Sequence, residues 1–515
     1  MKSITRRKFL RNSALAGGFM MISPYLKGSV FSFSNLNQKD YFEKEFGIDD
    51  QMCQSILQTA LSKGGDFADI YFEHTIQNTL ILEDGKVNRS YGNINLGVGI
   101  RTVKGGQVGY GYTQELTKES MLSAAKTAST IASGNPTPFN NTFKVPNIGN
   151  YYPINSSLDE VPIGDKLDPL KAINENCFSG SDSIIKATIG VHDSTKRILV
   201  VNSNGVKAED TVPLTYMYAL TTGEKASKKE RAFYSLGGNY DFSFYTPDVT
   251  KKISDEVVKR TLTMFDAIQP PTGEMPVVLA PGDSGVLLHE AIGHGMEADF
   301  NRKGTSTYST MIGRKVAPSN VTIVDDGTNP HQTGSINFDD EGTPSQKTVL
   351  VENGILKSYM HDRISAKHYG VKPTGNGRRE SFEHYPLPRM RNTYMLGGNE
   401  LPEDIIKKVK KGIYIENVSN GQVKIGEGDF AFYVSQGRLI EDGKLTTPIK
   451  DVNIMGNGPK MLKNIAAVGN DLGLAQGGTG MCGKGGQGVK ASFGMPTCLI
   501  KSMTVGGTQQ KGGKS

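Results

Sequence analysis

The sequence predicts an α+β chain built mainly from antiparallel sheets with a few flanking helices, arranged as two domains behind an N-terminal leader. Three observations carry that expectation. Among 515 residues, 61 glycines and 23 prolines punctuate runs in which apolar and polar residues alternate, the period-two pattern of half-buried strands. Runs with helical spacing are few and short. A chain of this length exceeds one ordinary domain, and Pro270-Pro271 divides it best, because two prolines stop a helix and stiffen the exit. The expected parts are a leader over 1–35, an α+β domain over 45–270 and a β-rich domain over 271–515.

Taken in order, Ile48 to Lys63 have helical spacing, an Asp-rich start and an end at Gly64-Gly65. Residues 66–113 read as successive strands, with turns expected at Asp84-Gly85, Gly92-Asn93 and Gly105-Gly106. A helix from Lys118 to Ile131 closes that unit, and the Pro- and Asn-rich residues 134–166 read as a connecting loop. A helix over Asp168 to Phe178 precedes a second strand run that turns at Asn204-Gly205. Another helix, Pro247 to Phe265, leads to the two prolines. Beyond them "PVVLAPGDSGVLLHEAIGH" reads as strand, turn and helix, followed by short strands and a tail with eight glycines between Gly473 and Gly488.

Bulk charge excludes little but points away from nucleic acid. The net charge of +6 is modest, and no dense Lys/Arg stripe interleaved with aromatics appears. The leader sets Arg6-Arg7 before Phe9-Leu10 and a short apolar run from Ala14 to Leu26. That run is too short to span a membrane stably, and the pattern resembles a twin-arginine (Tat) export signal, a receptor-read address. The expected location is the periplasm, with a membrane tether if the leader is retained. Such a route carries folded proteins, which suits a metal loaded in the cytoplasm. Only four cysteines occur, Cys53, Cys177, Cys482 and Cys498, too few for a disulfide scaffold in an exported chain.

The segment with chemistry in it is "GVLLHEAIGHGMEADF", Gly285 to Phe300. His289 and Glu290 are followed by His294 five positions after the first histidine. Zinc-protease helices usually space their histidines four apart. On an α-helix a separation of five turns the two side chains about 140° apart, so they diverge. A π-type turn of roughly 4.4 residues brings them back to about 50°. Gly293 and Gly295 flank His294 and loosen the helix where it must distort. Glu290 then stands beside His289 as general base for a water.

Catalytic zinc takes three protein ligands and leaves a position open. Cys482, in "GGTGMCGKGGQG", and the histidines His361, His368 and His384 are the candidates for the third. Cys482 is favoured, because flexible glycines let a thiolate approach a metal with little steric cost. Cys498 in "PTCLI", and Cys53 and Cys177 on their helices, read as core.

The segments "LLHEAIGHGMEADFNRKGTSTYS", "FDDEGTPSQ", "PTGNGRRESFEHYPLPRMRNTYM", "VGND", "GMCGKGGQGV" and "TVGGT" together resemble the TldD branch of the TldD/PmbA metalloprotease family. "DFADIYFEH" and "NLGVGIRTVKGGQVGYGYT" resemble that family's first domain, so the likeness runs from about residue 48 to Thr508. The resemblance implies a TldD-like fold and one zinc per catalytic subunit, held by His289, His294 and Cys482, with Glu290 as catalytic base. It also implies cleavage of unstructured peptides held in extended form inside a dimer, either a homodimer or a heterodimer with a PmbA/TldE-like subunit that lacks the metal motif. The export signal departs from the family pattern, so the cytosolic roles of relatives are not carried over.

Two other functions remain open from the same residues. One is a peptide-binding or scaffold subunit with a structural metal; the other is a zinc amidohydrolase acting on non-peptide amides. Arg378 and Arg379, beside Glu380, are candidates to bind a peptide carboxylate or oxyanion, or else form a structural ion-pair network. Asp339 to Glu341 reads as closing a loop rather than as a second metal site.

Overall fold

The computed structural model describes residues 40–507 except 140, 425 and 426. The leader expected over 1–35 lies outside the described residues. Long alternating strands build the first sheet: β1 (Phe67–Glu83), β2 (Lys86–Lys104), β3 (Gln107–Thr113), β4 (Ile184–Asn202), β5 (Lys207–Lys225) and β6 (Lys228–Gly238), in the order β3-β2-β1-β4-β5-β6. Every pairing is antiparallel. Two three-stranded meanders therefore meet back to back along β1 and β4.

Each meander carries its own helices. A short α1 (Tyr41–Phe46), α2 (Asp50–Ala60) and α3 (Lys118–Ser129) cover the first, packing Ile56, Leu57 and Met121 on Ile70, Phe72 and Ile100. Helices α4 (Ile163–Gly180) and α5 (Pro247–Phe265) cover the second, packing Ile173 and Val257 on Ile189 and Met217. The helices start where side chains can take up free backbone N–H groups. Asp49 accepts from Met52 N at 2.7 Å, and Thr246 accepts from Val249 N ahead of Pro247 in the first turn.

Two expectations change here. No turn forms at Gly92-Asn93, because β2 runs straight through, with Asn78 opposite Gly92 and Gln77 opposite Asn93. A Cβ at Gly92 would lie 3.2 Å from Gln77 O, so the glycine serves close strand approach rather than chain reversal. The loop expected to Lys166 ends sooner, since α4 begins at Ile163. Its Lys166 is buried and donates to Asp193 at 2.8 Å and to Leu158 O at 3.1 Å.

The second half of the chain holds a closed ring of strands. Lys411–Lys424 pairs with both Gly273–Leu279 and Asp429–Glu441, and Cys498–Gly507 and Val452–Asn457 complete the circuit between those two. Beside it lies a six-stranded sheet in the order Ile355–Leu356, Lys347–Glu352, Ile323–Asp326, Asn392–Met395, Ser492–Met495, Gly473–Leu474. A small hairpin, Met481–Lys484 with Gln487–Lys490, comes in sequence between two strands of this sheet, Gly473–Leu474 and Ser492–Met495.

Buried charges join this half to the first sheet. Arg101 on β2 and Asp69 on β1 are fully buried and ion-paired, and Arg101 also meets Glu341 at 2.7 Å. Arg379 reaches Asp69 at 3.1 Å and Tyr110 Oη at 3.1 Å. Arg378 donates to Met390 O at 2.7 Å. Both arginines are thus committed to internal contacts, Arg379 in an ion pair with Asp69 and Arg378 on a backbone carbonyl. Asp339 accepts from the backbone N–H groups of Glu341 and Thr343, which closes its loop. Cys53, Cys177 and Cys498 are buried and unbridged, and burial pushes each thiol up to about 12.

Candidate metal centre

The chain leaves strand Gly273–Leu279 and turns sharply at Gly282, whose φ of 84° suits a residue without a Cβ. Val286–Leu288 then begins as α-helix, His289–Gly293 widens to a π turn, and His294–Met296 tightens to 3₁₀. The His294 N–H donates to His289 O, the i+5 bond that defines the wide turn. The five-residue spacing is thus accommodated by a bent helix, and the two imidazole centroids stand 5.3 Å apart. The glycines have a further reason. A Cβ on Gly293 would fall 2.1 Å from Met390 Sδ, so the glycine lets the buried Met390 side chain pack against the turn without shifting.

Cys482 comes from the hairpin of the glycine-rich tail. One donor atom each from His289, His294 and Cys482 lies within 4.8 Å of the others, and all three side chains are buried. His294 Nε2 is 3.8 Å from Cys482 Sγ. The other candidates for a third ligand are engaged elsewhere. His361 packs with Tyr359 and Tyr369, His368 against Tyr369, and His384 Nδ1 bonds Ser381 Oγ at 3.2 Å.

Electrostatics at the trio are set by burial working against close charges. Burial alone would raise the Cys482 thiol, but His294 and His289 outweigh it and hold the thiol well below its usual range. Burial would lower His294, yet Glu297 and Cys482 raise it well above the ordinary imidazole value. The donor set on its own thus favours a thiolate beside a protonated His294: the thiolate is the form a metal takes up, and His294 must release a proton to bind one.

Do these residues fit a metal ion? Both ring nitrogens of His289 are buried without a hydrogen-bond partner, an arrangement that costs free energy unless something else meets them. Two imidazoles and a thiolate are a zinc-type donor set. The residues fit. Glu290, by contrast, keeps 26 % of its side chain exposed, with its Oε2 3.8 Å from His294 Nε2. A cavity of about 720 Å³ is lined by Val286, Phe493, Phe233, Tyr234 and Met264 among others; Glu290 and the three donors do not line it, and the Phe493 ring, 6.1 Å from that of His289, is the link between the cavity and the centre.

Sequence reasoning missed a second layer. Glu297 Oε2 meets His294 Nδ1 at 3.0 Å, and Lys484 meets Glu297 at 3.1 Å and Asp299 at 2.7 Å. Arg389 donates to Cys482 O from the other side. Only the local part had a signal, the His-x-x-Glu spacing after His294; the Lys484 contacts, 185 positions away for Asp299, had none.

Fold and site together define a sheet-rich protein with a buried two-histidine, one-cysteine centre beside a single accessible carboxylate. Comparison with known proteins gives the same class a family. The PmbA/TldA metallopeptidase domain 1 matches residues 68–132, its central domain 156–265 and its C-terminal domain 272–507. The metalloprotease TldD homolog of Buchnera aphidicola subsp. Acyrthosiphon pisum is 38% identical over 90% of this chain and 97% of its own length. That of Haemophilus influenzae is 38% identical over 89% and 96%. The zinc metalloprotease TldD homolog of Saccharolobus solfataricus is 26% identical over 88% and 99%. The crystal structure of TldE from Thermococcus kodakarensis shares the fold, with a TM-score of 0.69 at 19% identity, covering 88% of this chain and 100% of that one. The chain belongs to the PmbA/TldD metallopeptidase family.

Proposed function

We propose that this protein is an exported zinc metallopeptidase that hydrolyses peptides or unfolded segments. The observation that carries the reading is the convergence of His289, His294 and Cys482, with orphaned His289 nitrogens, beside the half-open Glu290. His289, His294 and Cys482 would hold one zinc ion per subunit. Bound there, zinc would supply Lewis acidity to a peptide carbonyl and lower the pKa of a nearby water. Glu290 is the general base, taking the proton from the attacking water and returning it to the leaving amine. The neighbouring cavity, walled by Phe493, Tyr234 and Met264, gives an extended peptide apolar surface to lie on.

The test is zinc content and peptide cleavage in the parent and in Glu290→Ala. The variant should keep one zinc and lose cleavage by roughly 10²–10⁴-fold, the usual worth of a general base. Retained metal with full activity would refute the assignment. A parent that binds zinc but cleaves no peptide while hydrolysing simple amides would favour an amidohydrolase; one with no hydrolytic activity would favour a scaffold.

Export and assembly belong to the same reading. Arg6-Arg7 and the apolar run behind them support Tat export to the periplasm, and an Arg6→Lys, Arg7→Lys variant should stay in the cytoplasm. The family resemblance supports a dimer, either with itself or with a PmbA/TldE-like subunit, to be read by light scattering of the protein purified alone and with such a subunit.

A further inference from the structure

The two halves of the metal centre come from distant parts of the chain, and something must hold them in register. The histidines sit on a bent helix fixed in the core, where Leu287, Leu288 and Ile292 are buried. Cys482 sits on a hairpin of two four-residue strands, Met481–Lys484 and Gln487–Lys490, joined at Gly485-Gly486. A two-stranded hairpin is marginal by itself, and this one has few side chains to pack. Its burial alternates: Cys482 and Lys484 face inward, while Met481 and Gly483 face out. Residues two apart on a strand share a face, so whatever fixes Lys484 also aims Cys482.

The Lys484 ammonium has three close oxygen partners. It donates to Asp299 Oδ1 at 2.7 Å, to Pro388 O at 2.9 Å and reaches Glu297 Oε2 at 3.1 Å, with only 8% of the residue exposed. The same Glu297 Oε2 lies 3.0 Å from His294 Nδ1. A carboxylate on that nitrogen holds a ring proton at Nδ1, so Nε2, 3.8 Å from Cys482 Sγ, is the nitrogen that would meet a metal after giving up its own proton. One carboxylate therefore touches both the histidine half and, through Lys484, the cysteine half.

We infer that Lys484, through Glu297 and Asp299, is a positioning residue that locks the Cys482 hairpin to the His294 segment and so presets the three-ligand geometry for zinc. The inference rests on the zinc reading above. Without the lysine, Asp299 and Glu297 lose a counter-charge and the Met481–Lys484 strand loses its ion-paired anchor, leaving Arg389 on the Cys482 and Gln487 carbonyls and, on the return strand, Gln487 with Tyr385 O and Gly488 N with Glu380. A bidentate guanidinium in place of the ammonium would keep the charge but shift the hairpin.

The test uses the full chain with zinc and with cobalt(II) as probe. Zinc affinity of the folded protein is measured by chelator competition, and the cobalt form by its thiolate-to-metal charge-transfer absorption. Lys484→Met should weaken zinc binding about 10–100-fold, the usual cost of losing a partner behind a ligand, and reduce the cobalt–thiolate band. Lys484→Arg should recover part of both. If Lys484→Met does not fold, the double variant Asp299→Asn, Lys484→Met removes the lysine together with its closest carboxylate, leaves Glu297 on His294, and should show the same loss. Unchanged zinc affinity and an unchanged cobalt band in a folded variant, even with a lower Tm, would overturn the inference, because a merely structural strut moves only stability. A parent that binds zinc yet cleaves nothing would defeat the peptidase reading and leave this one standing. A parent that binds neither metal would defeat both.

Discussion

Two clusters of buried polar side chains can be set side by side. In the first, Arg101, Asp69, Glu341 and Arg379 tie the first sheet to the C-terminal half, and every charge faces an opposite one. Single guanidinium nitrogens go unpartnered there, Arg101 Nη1 and Arg379 Nε, but each guanidinium makes ion pairs. In the second, His289 has no partner at either ring nitrogen although two other donors point at the same space. The first cluster is complete as it stands. The second is complete only with a ligand. The difference separates a structural ion-pair network from a binding centre more sharply than burial or charge does, since both clusters are equally buried.

The largest effect expected from this contrast is on metal binding. His289→Ala removes one of three ligands, and with zinc affinities of about 10–16 kcal/mol for small zinc sites the loss should be on the order of 10³–10⁴-fold. Zinc should then no longer raise the Tm, as differential scanning fluorimetry with and without zinc would show. Arg101→Met should do the opposite. It strands Asp69 and Glu341 and costs about 3–5 kcal/mol of stability, measurable by urea unfolding, while the folded fraction keeps its zinc. If Arg101→Met lost zinc with stability intact, the division between the two clusters would fail.

A smaller effect sharpens the rule. His361 also has a buried Nδ1 without a partner, but among the described residues it belongs to no cluster of three metal-type donors. Burial lowers its pKa from 6.5 to about 4. Between those values the unfolded chain binds a proton that the folded chain does not. Stability should therefore fall as pH drops from 6.5 to about 4, by up to about 3 kcal/mol. His361→Leu should lack that part of the acid loss in urea titrations across the window and keep its zinc. The smallest effect expected is at Cys498, a buried thiol with no histidine beside it. Cys498→Ala should cost about 1 kcal/mol and leave zinc stoichiometry unchanged by elemental analysis.

What could be read beforehand was local. The five-residue spacing of His289 and His294 forced a π turn because only a wider turn lets both rings converge, and the glycines around Cys482 left it room to approach. Alternating strands and capped helices were legible for the same reason, since each depends on neighbours in sequence. Gly92 misled because a glycine that permits close strand approach looks the same, in sequence, as one that permits a turn. Contacts across long separations were not legible. Nothing near Arg101 names Glu341, 240 positions away, and nothing near His294 names Lys484. The expected laxity of the helix at Gly293 was half the story, because the Met390 side chain packed on it comes from a distant segment.

The closed ring of strands has a consequence for the order of events during synthesis. Gly273–Leu279 lies between Lys411–Lys424 and Cys498–Gly507 in the ring. A strand made early must therefore wait for one of the last to be made before both its edges are paired. Until then its exposed edge is a template for wrong partners, and contacts of such long separation form slowly. A ribosome-bound chain would hold the histidine segment, which follows directly on that early strand, long before the circuit closes, and the centre can take shape only once Cys482, 188 positions after His294, has been made.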